Sequence, residues 1–538
     1  MPTHASVSAG EWTKGLSDRT SDLFERLSVA CGGADVLTED RLSKYRRALE
    51  RFVTLFGAAR PVGIARVPGR LNVLGRHADH RGGYVNPIAL AQEAVLVYSP
   101  NDDDLVDVEN LDPDYGRRTF RIVENHPPKP VRDTQAWLDW TRQLARARAY
   151  DQTAHDWVHK IASPPAYLAH FAYPDADLKG ISGVLTGDIP PRRGLSSSSA
   201  IVIATMLAMV DVNGIPLGPE ALVPHCGVAE WYLGTRGGCG DHAAILCARR
   251  GHLTRVRTVP ELEVTGYVPL PEDCRLVICH SGYDADKTGA AGNTFNERVA
   301  AYEIADLFAA RFLRERHAAL WDDFKRRRVS QGHEKCVHMG DIAECLNAAE
   351  IYDLLETVPE RASREEIRKL LPKDVDALER QFVTHTELPE GYRLRGVLTF
   401  GIAECTRSAH GPDLLAQGDV EGFGRWMNVS HDGDRVSGDC REYAAPKARI
   451  DRTKAVWEQP GGYNCSTPEI DRMVDAALSG GALGAQIAAA GLGGSMMALV
   501  SVDRERAVID ALTEAYFEPE GIEPDYLSAV PSAGATLV

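Results

Sequence analysis

This sequence predicts an α+β chain of two domains, and three observations lead there. Apolar runs of strand length alternate with stretches of helical spacing, so neither an all-helical nor an all-strand protein fits. The strand-like runs crowd into the first half, whereas helical periodicity dominates the second. At 538 residues, with no internal repeat, the chain has room for two or three cores of roughly 100–200 residues each.

Taken in order, residues 1–20 are polar and read as a loose lead. From 23 to 56 apolar residues recur at helical spacing and stop near Gly57. Residues 62–67 read as a strand running into Pro68-Gly69, and 88–99 as a second, strand-like at Val95-Leu96-Val97-Tyr98. The Asp-, Asn- and Pro-rich stretch 100–135 predicts strand and loop. Helical patterns with Trp137, Trp140 and Trp157 fill 135–172. Apolar runs 181–189 and 201–210 flank a Gly-Ser segment, and 253–277 alternates as strands around prolines. A mixed-charge helical region spans 296–382, a turn-rich insertion loop 433–462, and a helix 468–478 leads into the Gly/Ala-rich stretch 480–501.

Net charge is −16, from 60 basic and 76 acidic residues. With no basic block, the chain is a poor candidate for nucleic acid or an anionic membrane. The eleven cysteines are scattered without a C-x-x-C pair, which reads as reduced thiols in a cytoplasmic protein. No run approaches the ~18 apolar residues needed to span a bilayer, and the start carries no apolar signal core.

Three segments carry chemistry. Pro190-Pro191-Arg192-Arg193-Gly194-Leu195-Ser196-Ser197-Ser198-Ser199-Ala200 sets a glycine and hydroxyls before a helix, which leaves free backbone N–H groups and a positive helix end for an anion. Alone, the same residues also read as a linker or a plain N-cap. No G-x-x-x-x-G-K-[ST] occurs, which disfavours an ordinary P-loop. The second segment, residues 67–87, packs Arg70, Arg76, His77, Asp79, His80 and Arg81 between tight-turn glycines. These groups suit phosphate and sugar hydroxyls, or a polar hairpin turn. The third, Ala488-Ala489-Ala490-Gly491-Leu492-Gly493-Gly494-Ser495, has the small residues that let backbone approach a ligand or another loop.

In chain order the three segments resemble the GHMP small-molecule kinases, and within them the galactokinases, with their P-G-R-x-N-x-x-G-E-H-x-D-Y-x-G-G, P-x-x-x-G-L-S-S-S and G-x-G-G stretches. Gly424-Arg425-Trp426-Met427-Asn428-Val429-Ser430-His431, Thr467-Pro468-Glu469-Ile470-Asp471 and Asn296-Glu297-Arg298 resemble lesser motifs of the family, so the likeness runs from about 45 to 502. It implies a ribosomal-protein-S5-domain-2-like domain over 20–260 and a ferredoxin-like domain over 261–538, with the site in the cleft between them. It further implies ATP and Mg2+ as cofactors and transfer of the γ-phosphoryl to the anomeric hydroxyl of a galactose-like sugar by a monomer.

Residue by residue, the resemblance makes Asp241, in Gly237-Gly238-Cys239-Gly240-Asp241-His242, the base that faces the acceptor hydroxyl, with Arg70 beside it. It gives the sugar to Arg76, His77, Asp79, His80 and Gly238. The nucleotide falls to Arg193, Gly194, Leu195, Ser196, Ser197, Ser198 and Ser199, and Mg2+ to Ser198 with Glu230. The departures lie on the sugar side. Arg76 replaces a glutamate, Phe295 falls at a sugar-contacting tyrosine, His80 replaces a tyrosine, and Ala489 replaces the first glycine of its loop. The pattern around His77, Asp79 and His80 is close to plant galacturonokinase. Arg76 is then either a reader of a sugar carboxylate or a residue pairing with an acidic neighbour. A uronic-acid 1-kinase and a non-catalytic sugar sensor stand as alternatives. The chain exceeds a typical galactokinase by insertions near 100–160, 310–390 and 433–460.

Overall fold

The computed structural model describes residues 6–124, 126–154, 156–191, 193–234, 238–284, 291–330, 335–438, 450–489 and 491–538. Strands are β1 (Val7–Ser8), β2 (Pro61–Leu74), β3 (Tyr84–Pro100), β4 (Leu105–Asn110), β5 (Arg117–Arg121), β6 (Ile181–Gly187), β7 (His252–Arg257), β8 (Glu263–Pro269), β9 (Cys274–His280), β10 (Arg361–Ala362), β11 (Tyr392–Arg393), β12 (Gly484–Ile487), β13 (Ser495–Ser501), β14 (Tyr526–Ala529) and β15 (Thr536–Leu537).

The first sheet runs β1-β2-β3-β6-β4-β5, with β15 on β2, β7 on β3 and β8 on β7. Its spine is the long antiparallel pair β2 and β3. Both are buried along almost their whole length, and the charges this encloses are paired, Arg66 with Glu93 at 2.6 Å. Helix Glu39–Phe56 packs on one side and ends at Gly57, and helix Ser197–Val212 packs on β2 and β3. The latter is apolar all round because it is buried all round.

The second sheet orders its strands β12-β13-β9-β14, all antiparallel. Helix Pro468–Ser479 precedes β12 and helix Glu505–Leu512 follows β13, a βαββαβ unit that bears out the ferredoxin-like expectation. Both helices bury their apolar stripes on this sheet. After β9, helices from 291 to 416 form a separate core around Tyr302, Phe308, Leu398 and Phe400, where a long helical region was expected. No helix among the described residues is long and apolar enough to cross a membrane, and the ten described cysteines are free thiols.

Two expectations need correction. The supposed loose lead contains helix Ala9–Gly15. Ser8 and Glu11 close a capping box on it and Trp12 is fully buried. Two buried apolar residues, Ala9 and Trp12, in about two turns give no periodicity to detect. The division at 260 also falls inside the first sheet, because β8 pairs with β7 and the chain returns from the second sheet to place β15 on β2.

Candidate active site

The register of β2 against β3 shifts between Pro68 and Arg70, where pairing passes from Glu93 to Ala89. Such irregularities re-aim side chains. Arg70 is sent toward helix Gly240–Leu246. There its Nε donates to Oδ1 of Asp241 at 2.7 Å and its Nη2 to Oδ2 at 2.5 Å. Its Nη1 donates to the Gly194 carbonyl at 2.6 Å, and its backbone N–H to the Leu195 carbonyl at 3.2 Å. One arginine therefore joins the expected base to the expected phosphate loop.

Burial pushes the Asp241 carboxyl up, but the Arg70 guanidinium, its hydrogen bonds and the Ser196 hydroxyl hold it down at about 2. The side chain remains two-fifths exposed to the cleft, so the charge is both fixed in place and reachable.

Ser196 caps helix Ser197–Val212 in a left-handed conformation, φ 60°. Its hydroxyl donates to Asp241 at 2.8 Å instead of capping its own helix. The first-turn N–H groups and the half-buried hydroxyls of Ser197 and Ser198 are left without a side-chain bond among the described residues. This is the arrangement in which a helix end receives phosphate. Gly194, at φ 78°, lets the loop pass the second domain, since a Cβ there would stand 2.7 Å from that of Ala489. Ser495 Oγ donates to the Arg193 carbonyl at 3.3 Å, and the Arg193 guanidinium pairs with Asp525. The segment expected to hold phosphate thus faces Ala489 and Ser495 of the Gly-rich stretch. Ala489 takes φ 58°, the left-handed conformation that a glycine adopts without strain.

Ser198, expected to accompany Glu230, makes no bond to it among the described residues; the neighbouring hydroxyl does. Ser199 Oγ lies 2.9 and 3.1 Å from the two carboxylate oxygens of Glu230, and His242 Nε2 lies 2.8 Å from Oε2. The helical turn that presents Ser196 to Asp241 turns Ser199 toward Glu230. The donor set is nonetheless one of hard oxygens, as Mg2+ requires.

The residues expected to bind sugar sit in the connection between β2 and β3. Asp79 faces the 238–240 turn, where a Cβ on Gly238 would meet Asp79 Oδ2 at 2.8 Å and His80 Cε1 at 3.1 Å. Thr258 Oγ1 donates to the Asp79 carbonyl at 2.8 Å and ties the turn down. Arg81, buried, lies 3.5 Å above the Tyr302 ring. His77 takes φ 59° and packs on Tyr463 with ring centroids 4.5 Å apart.

Arg76 does not face the cleft. Its guanidinium is buried and donates to Asp434 Oδ2 and Ser430 Oγ, each at 2.9 Å, and to the Ile487 carbonyl at 2.8 Å. The pairing with an acidic neighbour, rather than the reading of a sugar carboxylate, is what the geometry supports. The side chain ties the sugar loop to helix Val420–Asp434 and β12. Asp434 and Tyr463 were missed in the sequence. Asp434 stands four residues after Ser430 on one helix face, a usable signal once Ser430 was singled out, whereas Tyr463 followed the insertion and left none. The side chain of Phe295 lies outside the described residues.

Three family models match this chain. They are the galactokinase galactose-binding signature over residues 50–100, the GHMP kinases N terminal domain over 161–249, and the GHMP kinases C terminal over 413–518. Among curated relatives, a galactokinase of Dictyostelium discoideum is 23% identical over 91% of this chain and 91% of its own. One of Streptomyces coelicolor is 26% identical over 90% and 96%. The crystal structure of Lactococcus lactis galactokinase complexed with galactose matches with a TM-score of 0.58 at 19% identity, covering 90% of this chain and 98% of that one. These matches make the chain a GHMP kinase, and the arginine-held aspartate beside the Gly-Ser segment accords with them. Within that family the chain is galactokinase-like.

Proposed function

We propose that this protein transfers the γ-phosphoryl of ATP to the anomeric hydroxyl of galactose or a galactose-like monosaccharide. The observation that carries the reading is the Arg70–Asp241 pair, bonded through Gly194 to the phosphate loop. The relatives that match over nine-tenths of the chain are galactokinases, and the structural neighbour was solved with galactose.

Asp241 receives the hydroxyl hydrogen bond and aims the oxygen at the phosphorus. A carboxylate held at about 2 is a weak base, so it accepts the proton late, as the new O–P bond forms and the bond to ADP breaks. Arg70 keeps that carboxylate ionised and adds positive charge where negative charge grows. Asp79, His77 and Gly238 shape the sugar side, and the 194–199 segment cradles the phosphates. Glu230, with the hydroxyls of Ser198 and Ser199, would hold Mg2+, which supplies charge neutralisation on the phosphates. Both facing segments come from one chain, so a monomer suffices.

Arg76 is committed to Asp434, which removes the reason to favour a uronic acid, and the intact Arg70, Asp241 and Glu230 set disfavours a sensor. The test is ADP release from Mg-ATP across galactose, arabinose, galacturonate and glucuronate. Turnover on galactose is expected. Turnover confined to a uronate, or none with any sugar that binds, would overturn the reading.

A further inference from the structure

A cavity of about 300 Å³ is lined by Arg361, Arg393, Arg395 and Arg435, with Glu360 the only carboxylate among its described lining residues. Arg361 and Glu360 lie in the stretch 310–390 and Arg435 and Gln459 in 433–460, both expected from the sequence to be insertions. The described lining includes none of Arg70, Asp79 and Asp241.

Among the described residues its charge is only partly compensated. Arg435 is held by Asp475 at 3.0 and 3.1 Å, with Asp432 3.4 Å from its Nε. The partners of the others are neutral. Arg393 Nη1 donates to Asn464 Oδ1 at 3.2 Å and Arg395 Nε to the Val358 carbonyl at 2.8 Å. Arg361, exposed, forms no ion pair among the described residues. Burial, and then the neighbouring Arg361 and Arg298, make the Arg393 cation harder to hold, against the pull of Glu390 and Glu297. Guanidinium forks at this density match multivalent oxyanions. The far wall is built by Gly396, Gly461 and Gly462. A Cβ on Gly461 would stand 2.3 Å from the Phe400 backbone nitrogen, so helix and loop meet with no side chain between them.

That wall continues into the sugar loop. Tyr463 follows Gly462 and packs on His77, and Phe400 stacks on Tyr463 at 5.4 Å. Arg435 follows Asp434, the partner of Arg76. We propose that this cavity is a regulatory site for a small multivalent oxyanion, a phosphate ester or a polycarboxylate, whose occupancy is transmitted to the sugar loop through Tyr463 and Asp434.

The binding part stands whether or not the kinase reading does; the effect on sugar rests on it. The test is calorimetric titration of the full chain with pyrophosphate and, separately, citrate, in magnesium-free chloride buffer at fixed ionic strength. It is repeated on Arg361→Ala and on Arg361→Ala/Arg395→Ala. Arg361 is exposed, so its variant keeps the fold. For at least one probe, a roughly threefold weaker Kd is expected in the single variant and tenfold or more in the double, with nucleotide affinity unchanged in both. Response to pyrophosphate alone assigns a phosphate ester, and to citrate alone a polycarboxylate. Identical isotherms in all three proteins for both probes would overturn the site. The probe that binds should change the KM for sugar at least threefold in the unaltered chain and not in the double variant. An unchanged KM would overturn the regulatory role.

Discussion

Replacing Arg76 by methionine separates its two readings, because they predict losses of different kinds. In the structure the guanidinium makes three hydrogen bonds, to Asp434, Ser430 and Ile487, and both members of the ion pair are essentially without solvent exposure. Methionine fills much of the volume but leaves the Asp434 charge buried without its cation. Breaking one side of a buried pair costs about 3–5 kcal/mol, a large share of the ~5–15 kcal/mol that holds a folded domain. With an m-value of about 3 kcal/mol/M in urea, the midpoint should fall by about 1 M or more. Substituting both members, Arg76→Met with Asp434→Leu, should recover most of that loss, since a well-packed apolar pair is often as stable as the ion pair it replaces. Urea unfolding of the two single variants and the double, with kcat and KM measured on galactose and galacturonate, provides the assay. If Arg76→Met unfolds within about 1 kcal/mol of the parent while its preference among acidic and neutral sugars moves, Arg76 reads substrate and the tether is wrong.

Asp241→Asn should lower kcat by roughly 10²–10⁴-fold with nucleotide affinity nearly unchanged; equal turnover would refute its role. In the parent, Asp241 is held at about 2, burial being outweighed by Arg70 and Ser196. The pair contributes stability that is complete above the unfolded value near 3.9 and is lost as pH falls through about 2. The pH profile of kcat/KM should accordingly show no limb from this group between pH 8 and 4, and an Asp241-dependent limb near 6 would contradict the geometry. His431 is lowered to about 4 by burial foremost, with Arg435 and Arg76 adding to it against Asp471. The unfolded chain binds the extra proton first, so stability should fall by about 3 kcal/mol as pH drops from 6.5 to 4; calorimetry of His431→Gln should show a flatter slope. Gly194→Ala should raise the KM for ATP about tenfold by driving a Cβ against Ala489, and Ala489→Gly should restore part of it. No effect of the first substitution would show that the loops do not meet there.

The parts of the site legible in the sequence are those whose chemistry and local geometry are written in consecutive residues. Gly194 through Ser199 announce a left-handed turn entering a helix, and Asp241 sits one residue into a short helix opened by glycines. What stayed hidden depends on residues brought together over hundreds of positions. Ser199 rather than Ser198 meets Glu230 because a helical turn fixes which of four adjacent hydroxyls points where, and composition cannot count that rotation. Arg76 was legible only as a charge reversed from the family pattern. Its partner Asp434 lies 358 residues away and was read as the start of an insertion loop, whereas it is the last residue of a buried helix. A reversed charge in a substrate loop invites a substrate explanation because the loop is the only context visible along the chain. A buried guanidinium, however, must be neutralised somewhere within hydrogen-bond reach, and the fold provides the carboxylate before any sugar arrives. Asp434, engaged by Arg76, is followed at once by Arg435 on the cavity wall, so the buried ion pair and the cavity share one stretch of chain.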